Sequence, residues 1–229
     1  MTITTTTLTR AAGLSAVVGG LLFIAVQIKH PHLDATFTTT TEYAVRETMK
    51  ILMAVLSVIG ITGIYLRQVK QTGLLGLLGY LLFGAGYLAI MSVQIVGVFV
   101  LPSFAASQPS YVNDVLAVAT GGTPSGDIGA LGAFIQIGGF TFLTGGALFG
   151  IALFRANILP RWAAVLLVAG TVITFAIPLL PQINQRLFAI PTSVAVLSLG
   201  YSLWREQRTQ TARPVPSPVS SQLDPADAK

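Results

Sequence analysis

The chain has 229 residues, 53% of them hydrophobic and only 9% charged, with a mean hydropathy of +0.75. Soluble domains carry about 25% charged residues to coat a surface that faces water, so this composition excludes an ordinary soluble domain and makes hydrocarbon the solvent for much of the exterior. The net charge of +5 lies between apolar runs and in the C-terminal stretch, not along one basic face, which excludes a nucleic-acid footprint; the lack of cysteine excludes disulfides, thiolate metal sites and cysteine nucleophiles.

The charges divide the chain into apolar spans. The first is the uncharged run between Arg10 and Lys29, which as a helix reaches roughly 27 Å, close to the hydrocarbon thickness. It exceeds a signal-peptide core and no small-residue cleavage site follows it, so it reads as a span. The second run, between Lys50 and Arg67, is short alone, and its helix is expected to begin earlier. Thr39 and Glu42 have capping-box spacing, and Glu42–Arg46 and Glu47–Lys50 stand at helical pair distances.

After a short linker at 68–72, a third span covers 73–100 and stops at Pro102. Residues 101–127 contain no Lys or Arg and are rich in Ser, Gly, Thr and Pro; within them, 110–119 is expected to form a short interfacial helix. The fourth span covers 128–154, a tight basic turn follows at 155–161, and the fifth span runs from 162 to about 180, interrupted by Pro178 and stopped by Pro181. The sixth covers 187–204, with Pro191 in its first turns where proline does least damage. From Arg205 the composition turns polar and proline-rich, with too little apolar matter to pack.

The expected fold is therefore all-α, a polytopic membrane helix bundle of six transmembrane helices. Residues 1–10 form a cytoplasmic N-terminus, 11–204 the membrane domain and 205–229 a disordered cytoplasmic tail. Orientation follows from basic residues in short loops. With the N-terminus inside, Arg10, Arg67, Lys70, Arg155, Arg161, Arg205, Arg208, Arg213 and Lys229 are cytoplasmic, nine of the 13 basic residues. Both ends then lie in the cytoplasm. The R-x4-P-R-W turn from Arg155 to Trp162 resembles those of bacterial multi-pass proteins in general, a resemblance that implies no activity.

Two self-similarities are present. The sequence from Gly63 resembles that from Gly150, as two parallel helical hairpins would, and the sequence from Gly19 resembles that from Gly145, as an inverted repeat would. Shared membrane composition accounts for either match. Gly73, Gly76, Gly79, Gly84 and Gly86 in span three, and Gly138, Gly139, Gly145 and Gly146 in span four, mark faces for close helix packing. Trp162, Tyr201 and Trp204 suit the cytoplasmic aromatic belt.

No Asp, Glu, Lys, Arg or His falls at mid-depth of a span, which argues against a proton-coupled carrier of the usual kind. Instead Gln27, Gln94 and Gln136 come from three spans at similar depth near the outer side. An amide facing lipid leaves its donors and acceptors unpaired, so these side chains are expected to face the bundle, bonded to other helices or to a ligand. Above them stand His30, His32, Asp34 and Glu47. Imidazole and carboxylate are zinc ligands, but Pro31 between the histidines restricts both rings, and headgroup or water contact is the plainer role.

The leading expectation is a non-enzymatic protein of the bilayer with an outward polar cavity lined by Gln27, Gln94 and Gln136. That cavity would bind or transport a small or lipid-like molecule. The alternatives are an enzyme at the outer interface using the His/acid group with or without a metal, and a structural subunit that meets its own copies or a membrane partner.

Overall fold

The computed structural model describes residues 4–28, 31–176 and 189–211. Among them every regular element is helical: α1 (Thr5–Ala25), α2 (Thr41–Arg67), α3 (Val69–Phe99), α4 (Leu101–Phe104), α5 (Pro109–Ala119), α6 (Ala130–Ala156), α7 (Arg161–Ala176) and α8 (Ala189–Thr211), with one 3-10 turn at Phe37–Thr39. Helices α1, α2, α3 and α6 are long and apolar enough to cross a membrane. Their outward faces are apolar too, with Leu21, Val55, Leu74, Leu81 and Ile137 all exposed. A helix that is hydrophobic all round needs lipid or a larger core around it, so the molecule is a helical membrane bundle.

The long helices pack side by side in chain order, α1 on α2, α2 on α3, α3 on α6, α6 on α7 and α7 on α8, and α8 returns to α1. Small residues set the closest approaches. A Cβ added at Gly145 of α6 would lie 2.2 Å from the Phe83 backbone nitrogen of α3, and one at Gly86 of α3 would lie 2.4 Å from Phe142 Cα of α6. Without a hydrophobic drive between helices in lipid, such close packing is a main source of cohesion.

Helix ends differ from expectation in three places. Thr40, not Thr39, caps α2: its hydroxyl accepts from Tyr43 N at 3.2 Å, while Thr39 donates to Thr36 O. The Glu42–Arg46 and Glu47–Lys50 pairs nevertheless form, at 2.9 and 2.5 Å. The expected linker at 68–72 is mostly helical. Gln68 is fully buried, and its carbonyl accepts from Thr72 N and Thr72 Oγ1, both at 3.0 Å. The bend comes at Gly73, whose φ of +58° suits only glycine. Finally, α8 continues past Arg205 to Thr211, because Glu206 accepts from Arg67 of α2 and ties the added turns to the bundle.

Two apolar clusters fill the interior. The larger joins α1–α3 and α6–α8 around Ile61, Phe83, Tyr87, Phe149, Leu167 and Leu199. The smaller lies at the other end and joins α5 to the 31–40 segment and α2 through Ala35, Tyr43, Leu101, Val112, Val115 and Leu116. Polar bonds fasten this second cluster. Asn113 Oδ1 accepts from Ala35 N at 2.8 Å, and Asp114 accepts from Ser125 N at 2.7 Å and Gly126 N at 3.0 Å. The expected short helix at 110–119 is thus present as α5. Residues Pro178, Pro181 and Arg186, and the chain beyond Thr211, lie outside the described residues.

Candidate functional site

Between the two clusters lies a cavity of about 890 Å³. Its position follows from three helical stripes with alternating spacings of three and four. On α1 the stripe is Ala16, Gly20 and Phe23, continued by Gln27 in the turn that follows; on α2 it is Tyr43, Glu47, Lys50, Ala54, Ser57 and Ile61; on α3 it is Phe83, Tyr87, Ile90, Gln94 and Gly97. That spacing keeps each series on one face. The stripes are apolar where the helices meet in the large cluster and polar near the ends that face α5.

Gln27, Gln94 and Gln136 all line this one cavity. Gln27 and Gln94 are half-buried, whereas Gln136 is exposed at the edge. The cavity is more apolar than the three amides alone suggested. Most of its wall is apolar, including Phe23, Ile90, Phe142 and Leu143 and, from α5, Val115 and Leu116. Phe142, on the wall, is backed by the large apolar cluster: it packs edge-on to Tyr87 at 5.0 Å and tilted on Phe83 at 4.9 Å, and both partners are fully buried.

Sequence reasoning singled out Glu47 only as a possible metal ligand above the amides and did not place it, or Lys50, on the cavity wall. Glu47, only 3% exposed, and Lys50 both line the cavity and form an ion pair with each other. The signal was present, since both continue the buried stripe from Tyr43 to Ile61, but their charge suggested an end facing water. Gly97 of α3 makes room for this group: a Cβ there would lie 2.9 Å from Tyr43 Oη and 3.8 Å from Glu47 Oε2.

The four residues considered for a metal are placed differently. His30 lies outside the described residues, and His32 is exposed. Asp34 closes the 3-10 turn by accepting from Phe37 N at 2.7 Å, and Glu47 is held by Lys50. Among the described residues, no group of three or more side chains suited to a metal ion comes together.

Compared with protein-family models, with curated proteins and with solved structures, the chain matches none of them.

Proposed function

We propose that this chain is a six-span membrane protein with both termini in the cytoplasm, and that it binds a small, lipid-like amphiphile without catalysing its conversion. The observation that carries the reading is the cavity itself: an apolar chamber with Gln27, Gln94, Gln136, Glu47 and Lys50 on its walls. Binding pockets of roughly 300–1,000 Å³ lined by apolar side chains and a few placed polar groups are the usual form of a small-molecule site. An amphiphile matches both parts, its chain against Phe23, Ile90 and Leu143 and its head against the amides and the ion pair. The orientation rests on the basic residues of the short turns, with the cavity then near the outer leaflet.

Gly139 allows a direct test. It lines the cavity, and a Cβ added there meets nothing within 4 Å. Gly139→Phe is therefore expected to fill the chamber without displacing a helix. A pyrene-labelled fatty alcohol titrated into purified protein in nanodiscs should bind the wild type saturably and the variant at least about tenfold more weakly. Equal binding by a correctly folded Gly139→Phe protein would refute the reading.

A further inference from the structure

The ion pair on the cavity wall is chemically incomplete. Lys50 Nζ donates to Glu47 Oε1 at 2.5 Å. An ammonium carries three N–H donors, so two remain for the space that Lys50 lines. Lys50 bonds only one of the two carboxylate oxygens of Glu47, and the other is not among the sealed, partnerless atoms of the described residues, so it stays accessible. Burying two ions costs several kcal/mol each, and their attraction offsets this only when the remaining protons and lone pairs also find partners. The Tyr43 hydroxyl stands beside Glu47 on the wall, but among the described residues no other charged side chain lines the chamber.

We propose that the Glu47–Lys50 pair is a headgroup reader, and that the occupant is a single-chain amphiphile with a zwitterionic head, an ammonium group and an anionic group together. This rests on the proposed function above and names the class of its ligand. The ammonium donates to the open oxygen of Glu47, and the anionic group accepts from the spare donors of Lys50. Gln27, Gln94 and Gln136 each offer two donors and one acceptor oxygen, so they serve either half of such a head. The wall's two formal charges cancel. A head with net negative charge satisfies Lys50 but faces the Glu47 carboxylate, and a net cation does the reverse. An uncharged head gives both ions ordinary hydrogen bonds but no opposite charge. A chamber of about 890 Å³ accommodates one acyl chain with its head, whereas a two-chain phospholipid is larger than sites of this kind enclose.

The test uses three probes that share one oleoyl chain and differ only in the head: lysophosphatidylethanolamine, zwitterionic; lysophosphatidylglycerol, anionic; and monoacylglycerol, uncharged. Each is titrated into delipidated full-length protein in an uncharged detergent and its occupancy read by native mass spectrometry. The wild type should bind the zwitterion at least about tenfold more tightly than either of the others, the scale of one or two charge-assisted hydrogen bonds. Removing one charge alone strands the other in an apolar wall and endangers folding, so the variant is the neutral, near-isosteric Glu47→Gln/Lys50→Gln. It should stay folded and bind all three probes within about threefold of one another.

A wild type that prefers the anionic or uncharged probe overturns the proposal, as does a zwitterion preference that survives in the double variant. Equal binding of all three by the wild type overturns the headgroup reading and leaves the amphiphile cavity standing. Binding of none overturns both.

Discussion

Replacing Gly145 with alanine adds one methyl group at the closest point between α3 and α6. The new Cβ would stand 2.2 Å from Phe83 N, 2.5 Å from Leu82 C and 2.7 Å from Phe83 Cα. All three are backbone atoms, so no rotamer change relieves the clash. Ordinary contact begins at 3.4 Å, and the helices must therefore part by about 1.2 Å. A gap of that size forfeits about half the dispersion energy of each atom pair, and each pair is worth about 0.1–0.2 kcal/mol. Over a few tens of pairs the loss is about 2–4 kcal/mol, at or above the usual cost of overpacking. Gly139→Ala on the same helix is the control. Its Cβ meets nothing within 4 Å, and it should be neutral or stabilise by about 0.5–1 kcal/mol through helix propensity alone. Equilibrium unfolding in mixed micelles by titration with dodecyl sulfate measures both. If Gly145→Ala is as stable as the wild type, or if the two variants lose the same amount, the close α3–α6 contact is not what holds this side of the bundle together.

Gly73 is exposed, and a Cβ there would touch nothing, but its φ of +58° with ψ of −154° lies where only glycine is at ease. Gly73→Ala should cost about 1–3 kcal/mol through backbone strain alone, and an unchanged melting temperature would contradict the bend. Asp114→Ala removes the acceptor for Ser125 N and Gly126 N and should speed proteolysis of the 120–128 segment, with a local loss of about 2 kcal/mol; unaltered cleavage would show that this loop is held otherwise. Because the chain has no cysteine, Gln71→Cys and Ser125→Cys report sidedness directly. A membrane-impermeant maleimide applied to intact cells should label position 125 and spare position 71, and the reverse pattern would invert the orientation.

The four long apolar helices were legible because charge is expensive in hydrocarbon, so Arg67, Arg155 and Arg161 punctuate the sequence close to where helices end or begin. Periodicity also placed the close-packing glycines Gly79 and Gly86 of α3 and Gly138, Gly145 and Gly146 of α6, but not Gly73 and Gly139, which meet nothing within 4 Å. What composition could not reveal was which way a polar residue near a helix end points. Glu47 and Lys50 showed the helical pair spacing that Glu42 and Arg46 also have, and Glu47 was grouped with the histidines above the amides, yet their register with Tyr43, Ala54 and Ser57 turns them inward. The α5 segment was legible as a helix but not as part of a cavity wall, because its role depends on contacts with Ala35 and Tyr43 far away in sequence. The extension of α8 beyond Arg205 has the same origin, since Glu206 is polar locally but meets Arg67 only in the folded bundle.

The account depends on the chamber between the two apolar clusters holding an amphiphile. A high-resolution structure of the protein extracted from its native membrane directly into nanodiscs tests this without choosing a probe. The predicted result is continuous elongated density with its tail along Phe23, Ile90 and Leu143 and its head within hydrogen-bond reach of Glu47, Lys50 and the glutamines. A chamber filled only by ordered water, or closed by its own side chains, would contradict it.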